Sequence, residues 1–481
     1  MPTQQTHASK KHSFTFKIIV GITATLLINV LFIKGADDSS KSDVDFLQPG
    51  VEIGEAPIFK KIRSYRLEKL SGSTKEQEHS ELNAFTFGAV ADGKSHPIKE
   101  IFQDQSAIDK KYGSGRYVLN DERDFVAACE AIRYAKYYGE PTSANNAAKY
   151  ASTVYFPRGV YVINRTIDIV DLYGFTLRGD GKGQTVFRFM QPAPLFYVTR
   201  AAGNAFCDFS IESTIESKAT GIYIVSGGPD DAGRPAFLWE FRNVLFSTLY
   251  RGVQFAGMAM TDSGYFYTCR FLNCLVGVHF QNGQGMEYAF YGCNFQSPSI
   301  GNQATLFLVE AGGVINVFGG NIISQGTTLK LMPNREAYSK SVGGGSVINP
   351  SNGYYNFYGV RWEQMTKEPI LFDAKDDGYY RASINFDSCS VYQRMGAKDG
   401  PVGVLRPGMN VTLRNTSCSP FTSGKIPGDV SGASSEARRG ILVLDNTFGL
   451  EYEERNGGSI EHDSKLWKNI IYYRLPGRHQ N

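Results

Sequence analysis

The octapeptide FYGCNFQS, residues 290–297, decides how this chain folds, because near-copies of it recur along the sequence. FYTCRFLN begins at 266, FYGVRWEQ at 357 and FDSCSVYQ at 386. Aligned on the fourth residue, LYGFTL (172), FCDFSI (206), FRNVLF (241), VFGGNI (317), LRNTSC (413) and LDNTFG (444) fit the same frame. The tightest run starts at 241, 266, 290 and 317, giving spacings of 25, 24 and 27 residues. Periods of this size mean stacked units, none of which buries its apolar face alone.

The frame carries the geometry. Position one is mostly Phe or Leu, positions two and three are pairs such as Tyr-Gly, Arg-Asn and Asp-Ser, and positions four and six are small or apolar. Alternation in a strand would put positions one and four on opposite faces, so a two-residue bend is expected at positions two and three. Strand, bend and strand make one coil of a parallel β-solenoid. About ten coils at about 4.8 Å each give a cylinder of roughly 45 Å.

Three of the seven cysteines, Cys269, Cys293 and Cys389, fall at position four, where Val244 and Val360 stand in other coils. Equivalent Cβ atoms on adjacent strands lie wider apart than a relaxed disulfide wants, and the total is odd. An interior stack of small apolar side chains is expected.

Positions five and seven face outward. Between Arg270 and Glu363 they form a polar strip of Arg270, Asn294, Asn321, Arg361 and Glu363. Side chains repeated in register suit an extended sugar polymer, since Arg pairs with carboxylates in two-pronged fashion and carboxamides bond hydroxyls. The plainer reading is a solvated outer face on which asparagines ladder with one another.

The chain has 481 residues, of which 42% are hydrophobic, ample for a large core. A net charge of +3 gives no global attraction to nucleic acid, and no nucleic-acid partner is expected. The N-terminus differs from the rest. Residues 18–33, IIVGITATLLINVLFI, are uncharged and follow Lys10, Lys11 and Lys17, the pattern of a membrane anchor with its basic side in the cytoplasm. A cleaved signal peptide begins in the same way, but Lys34 occupies the place where cleavage after Ala36 needs a small residue. The expected organisation is a cytoplasmic tail (1–17), a transmembrane signal anchor (18–34), a stalk (35–80), the solenoid (81–450) and a C-terminal cap or tail (451–481). The solenoid then lies in the periplasm or outside the cell.

Upstream of the coils stand FTFGAVADGKS (85–95), DERDFVAACEAIRYAKYYG (121–139), STVYFPRGVYVINRTIDI (152–169) and FTLRGDGKGQTVFRF (175–189). In order and spacing these resemble the opening of the pectate-lyase-like right-handed β-helix superfamily, the branch of rhamnogalacturonases, polysaccharide epimerases and tailspike depolymerases. The resemblance implies an all-β, single-stranded, right-handed parallel β-helix with an N-terminal capping helix. The residues agree: Phe125, Cys129, Ile132 and Ala135 make one face of a helix over 122–138, with Asp121 as its N-cap. The chain departs from the family in the segment from Lys94 to Leu119, where an extra loop is expected. GDGKGQT reads as a turn rather than a phosphate loop, because it lacks the Gly-Lys-Ser/Thr ending.

The resemblance also implies a polysaccharide partner and one of three reactions. Hydrolysis needs an acid and a second carboxylate, whereas elimination or epimerisation of a uronate needs a base and a group that neutralises its carboxylate. The family's Asn-Thr-Asp, Gly-His-Gly, Arg-Ile-Lys and Asp-Pro-His signatures are absent. Glu363, beside Trp362 and two residues after Arg361, is the foremost catalytic candidate, with Asp230 and Asp231 of the SGGPDDAGRP loop as a possible pair. Arg270, Asn294, Asn321 and Arg361 are the substrate-binding candidates, and an acidic polymer is the substrate that suits them. Glu287, Glu240 and His279 are weaker catalytic candidates. No metal or cofactor is expected. The competing class is a non-catalytic carbohydrate-binding or surface-structural β-helix.

Overall fold

The structure, a computed structural model, describes residues 81–138, 153–227, 236–257, 259, 261–298, 304–324, 326–334, 353–364, 372–374, 382–393, 403–404, 410–418, 440–445 and 467–474. Asp230, Asp231 and the apolar segment 18–33 lie outside the described residues. Within them, no helix is long and apolar enough to cross a membrane.

The chain winds through three parallel sheets and forms an all-β parallel solenoid. The first sheet has thirteen strands, from Leu82–Asn83 to Trp467–Arg474. The second has ten, from Gly159–Ile163 to Ser417–Cys418, and the third has nine, from Ile167–Val170 to Gly403–Val404. Trp467–Arg474 pairs with Gly440–Asp445, so part of the stretch assigned by sequence to a C-terminal cap or tail extends the first sheet.

The repeated phrase is the corner between the first and second sheets. In FYTCRFLN, Phe266 and Tyr267 end the strand Gly264–Tyr267, and Arg270–Leu272 is the next strand. The turn is sharper than the expected two-residue bend. The residue at position three enters the left-handed region, with φ values such as 46° at Asn415, 53° at Asn243, 61° at Gly292 and 64° at Gly319, where Gly320 at position four follows it at 81°. Gly, Asn and Asp tolerate this conformation best, which is why they crowd that position. Thr268 adopts it too, at φ 51°. Position two is therefore still on its strand and faces outward.

Position four turns into the core, and its cysteines and threonine share one hydrogen-bonding habit. Cys269 Sγ donates to the Phe241 carbonyl at 3.4 Å, Cys293 Sγ to Phe266 at 3.5 Å and Cys389 Sγ to Phe357 at 3.3 Å. All three thiols are buried and unbridged, as the position-four reading requires. Thr416, at the same place in its coil, sends its hydroxyl to Phe386 O at 3.4 Å and Arg414 O at 2.9 Å. At Gly320 a Cβ would stand 2.0 Å from Cys293 O, so only glycine fits.

Position one builds the spine. Phe206, Phe241, Phe266 and Phe290 stack in successive coils, with ring centroids 5.6, 4.4 and 4.4 Å apart. Phe246, Phe271 and Phe295, at position six, stack at 4.8 and 4.8 Å. All are buried, and truncating any one to Ala removes about 3–5 kcal/mol.

The N-terminal end is covered by helix α2, Arg123–Tyr138, which buries Phe125, Ala128, Ala131, Ile132 and Ala135. Asp121 is not its cap. Its carboxylate accepts the Val118 amide at 2.8 Å and pairs with Arg165 at 2.7 Å. Asp124 explains why the upstream motifs occur together: its carboxylate accepts the amides of Val90, Ala91 and Val162, tying the Phe-Gly-Ala phrase to the Val-Tyr strand. The inserted segment contains helix α1, Gln105–Tyr112, whose first turn is capped by Asp104. Gly181, Gln184 and Thr185 close a turn, as expected for GDGKGQT.

Candidate functional site

The second sheet places the four predicted substrate-binding residues in one column. Arg270 faces Asn294, Asn294 faces Asn321, and Asn321 faces Arg361, each across one coil. Arg270, Asn321 and Arg361 are exposed and Asn294 is half-buried. Two residues along the strands, a second column runs Leu272, Gln296, Ile323 and half-buried Glu363. Arg361 and Glu363 therefore share one outer face, at positions that lie in the same sheet as Arg270.

The side chains are partly occupied with one another. Asn321 Nδ2 donates to Asn294 Oδ1 at 3.2 Å, one rung of an amide ladder. The guanidinium of Arg270 reaches Gln296 Oε1 at 3.5 Å, which links the two columns. A longer amide ladder runs on the first sheet, where Asn356 donates to Asn316 at 2.8 Å and Asn385 donates to Asn356 at 2.7 Å. Asparagine laddering is thus a habit of this solenoid, and the strip shows it at one step.

Across the corner lies a column that sequence reading missed. Tyr267, Tyr291, Phe318 and Tyr358 are in register on the first sheet. Their rings stack at 5.1, 5.0 and 5.1 Å, with planes 10°, 8° and 9° from parallel. Tyr291, Phe318 and Tyr358 are 37%, 36% and 38% exposed, large values for aromatic side chains in a row. Each ring sits three residues before a member of the polar column, in the same coil. Burial pushes the Tyr267 phenol up to about 12, with help from Glu240 and Tyr291, and burial also raises Tyr291. Both phenols keep their protons at neutral pH and can donate. The signal was present in the sequence as four successive aromatics at position two, but assigning that position to the bend concealed it.

The weaker candidates separate. Glu240 is buried and paired with Arg242, so its carboxylate is engaged at the foot of the aromatic column. Glu287 is exposed beside Tyr265, outside both columns. His279 lies on the third sheet, away from the strip.

Residues 82–203 match the family model described as rhamnogalacturonase A/epimerase, pectate lyase-like. The match takes in all four upstream motifs whole and covers about a quarter of the chain. No curated protein sequence matches. Among solved structures, ORF18 of Geobacillus virus E2 is 15% identical, with 83% of this chain and 62% of that one covered and a TM-score of 0.40. The A-module of a mannuronan C-5 epimerase from Azotobacter vinelandii is 14% identical, with 82% and 98% covered and a TM-score of 0.36. The tailspike protein of Acinetobacter phage vB_ApiP_P1 is 12% identical, with 83% and 60% covered and a TM-score of 0.37. The chain thus spans about three fifths of the length of both viral proteins.

Proposed function

We infer that this chain, a β-solenoid whose first coils match the pectate-lyase-like rhamnogalacturonase and epimerase family, acts on a polysaccharide along the corner between its first and second sheets. One observation carries the reading: an aromatic column and a polar column occupy the same four coils on either side of the left-handed corner between the first and second sheets. Three strand spacings of about 4.8 Å give the double column a length of roughly 14 Å, a linear site for a linear polymer. Aromatic side chains offer apolar contact to sugar rings, and carboxamides and guanidiniums bond hydroxyls and carboxylates.

The polymer is acidic, with Arg270 and Arg361 taking its carboxylates at the two ends of the column. Glu363 is the group that moves a proton. The reaction is a lyase, hydrolase or epimerase step. Residues 18–33 hold the solenoid at the outer face of a membrane. That last point is tested by fractionation: full-length mass in the membrane pellet supports it, and a soluble product beginning near Asp37 overturns it.

A non-catalytic carbohydrate-binding or surface-structural role has one observation in its favour. The bond from Asn321 to Asn294 occupies amide groups that would otherwise address a ligand. Incubating the full chain with a panel of acidic polysaccharides separates the readings. New reducing ends, or absorbance from unsaturated uronates, establish hydrolysis or elimination, and exchange of the C5 hydrogen with solvent establishes epimerisation. Binding with none of these leaves the non-catalytic role, and no binding at all overturns the polysaccharide reading.

A further inference from the structure

The turn GDGKGQT, which neither column uses, sends one side chain along the corner between the first and second sheets. Lys182 Nζ donates to the Thr268 carbonyl at 2.8 Å, a contact between residues 86 apart in sequence. The residues on either side of Lys182 are bound to an earlier coil, Gly181 N donating to Asp208 O at 2.7 Å and Gly183 N to Ser210 Oγ at 2.8 Å. Asn204–Cys207 pairs with Trp239–Arg242, and that strand pairs with Gly264–Tyr267. Lys182 therefore starts at the corner of Asp208, passes the corner of Asn243 and ends at the corner of Thr268. Its turn is pinned on the far side too, because Asp180 accepts from the Tyr155 hydroxyl at 2.5 Å and from the Arg158 amide at 2.7 Å. The stem is thus directed before any ligand arrives.

Thr268 lies where the double column begins. Tyr267, the first ring of the aromatic column, precedes it, and Arg270, the first member of the polar column, stands two residues on. The contact of Lys182 with Thr268 is only partly buried and Arg270 is exposed, so this end of the column is open to solvent. An ammonium has three donors, and the Thr268 carbonyl takes one. Among the described residues no carboxylate is paired with it.

Past Thr268 the corner is bare. Its residues in the coils of Tyr291, Phe318 and Tyr358 are Gly292, Gly319 and Gly359. A Cβ added at Gly319 or Gly359 would meet nothing within 4 Å, and one at Gly292 would meet only the Thr268 methyl, at 3.9 Å. Asn243 and Asn415 hold the same conformation with a side chain in place, so neither space nor φ demands glycine there. The result is a strip of backbone between the aromatic and polar columns on which a polymer can lie. In the other direction side chains return, with Lys182 over Thr268 and then Asn243 bonded to Asp208 at 2.7 Å. The track is open beside the three outermost rings and stopped at Thr268.

We propose that Lys182 makes the double column a chain-end site, in which the terminal acidic sugar of the polymer lies at Thr268 and its carboxylate accepts from the Lys182 ammonium. The sugar chemistry rests on the polysaccharide reading above, whereas the stop rests on the reach of Lys182 to Thr268. A lysine presents a point charge that suits a carboxylate at the end of a track, without the two-pronged geometry of arginine. The chain then runs from Thr268 past Gly292 and Gly319 toward Glu363, and one protein holds one chain end. Lys182 is a specificity-determining residue, since it selects where along a polymer the protein sits and moves no proton itself.

The test uses the full chain in detergent and titration calorimetry. The probes are polygalacturonate, polyglucuronate and polymannuronate in narrow length fractions, their tetramers, and tetramers whose carboxylate is reduced to an alcohol at one end or the other. A polymer that binds is expected to saturate at one protein per chain whatever its length. Its tetramer is expected to lose about tenfold in affinity when the carboxylate is reduced at one particular end, the usual scale for a charge-assisted bond. Lys182→Met is expected to lose about as much and to bind intact and reduced tetramers alike, and Lys182→Arg, which keeps the charge, is expected to recover most of the loss. Several proteins per chain, or equal binding of intact and reduced tetramers by the parent, overturns the proposal, and neither measurement depends on a variant that folds. A Lys182→Met chain that still tells the two tetramers apart overturns it as well, and leaves Lys182 as a tie for its own turn. If a polymer binds along its length, only the chain-end inference is lost. If none of the three polymers binds, the acidic-polymer reading is lost and this inference with it.

Discussion

Tyr291 and Phe318 stand one coil apart with centroids 5.0 Å from each other and planes 8° from parallel, stacked although each is more than one third exposed. Each such contact is worth about 0.5–1.5 kcal/mol beyond area burial. Phe318 makes two of them, so Phe318→Ala breaks the ladder in the middle.

The double column predicts how polymer binding responds to change. Phe318→Ala and Arg361→Ala both weaken binding to an acidic polysaccharide, but only the parent and Phe318→Ala retain sensitivity to added salt at the Arg361 end. Arg361 is exposed, so its loss costs about 1 kcal/mol, roughly fivefold in Kd. Glu363→Gln keeps the shape, spares binding and abolishes turnover if that carboxylate moves the proton. Titration calorimetry at two salt concentrations, with a turnover assay alongside, reads all three. Wild-type turnover in Glu363→Gln removes the residue from the chemistry, and unchanged affinity in Arg361→Ala moves the site elsewhere.

The interior thiols predict indifference to redox conditions. Cys269 and Cys293 keep their thiols on backbone carbonyls, and burial raises Cys269 well above the usual thiol range. Reductant is expected to leave the melting temperature unchanged. Thr416 shows that a hydroxyl at this place finds two carbonyl acceptors, so Cys293→Ser costs no more than about 1 kcal/mol. A loss of several kcal/mol in urea unfolding would mean that the serine hydroxyl goes unpaired.

Thr268 holds a β-branched side chain at φ 51°, where its neighbours in the stack at the same position, Asn243 and Gly292, are residues suited to it. Replacing it by Asn is expected to raise stability by about 0.5–1 kcal/mol. The present hydroxyl bonds only to the carbonyl of Tyr267, at 2.8 Å. Denaturant midpoints of the two forms measure the gain, and a decrease would show that this hydroxyl matters more than the strain.

Acid is expected to destabilise the third wall in two phases with the same sign. His279 is held below its ordinary 6.5 in the fold, so as pH falls through 6.5 the unfolded chain binds a proton that the fold refuses. Glu310 is depressed from 4.5 to about 2, so its contribution is present above 4.5 and is lost as pH falls toward 2. His279→Gln should remove the upper phase and Glu310→Gln the lower one. Melting temperatures recorded between pH 7 and 3 show whether the parent curve has those two components.

The coil was legible because burial repeats: Phe266, Phe290 and their counterparts recur at one position, and outward Arg270, Asn294, Asn321 and Arg361 follow from alternation alone. The aromatic column was hidden by one misplaced residue of bend, since whether Tyr291 or Gly292 turns the chain decides if the ring faces out. The approach of Glu310 to His279, on the third sheet, was not legible at all. Glu310 reaches it through a slip in register, and sequence periodicity counts residues without recording where a strand gains one. Asp121 shows the opposite error, a residue typical of helix caps that is spent on Val118 and Arg165.

The amide ladder from Asn316 through Asn356 to Asn385 points one way, each side chain giving to the coil before it and leaving its oxygen for the coil after. A coil built in this manner is complementary to a copy of itself. Duplication of one whole unit would insert a rung whose two faces already match their new neighbours, and its deletion would close the gap with the same match. A single residue added inside the phrase has no such tolerance, because Gly320 leaves no room against Cys293 for even a methyl group. Adding or removing a whole turn is therefore expected to disturb the stack less than adding one residue inside the phrase.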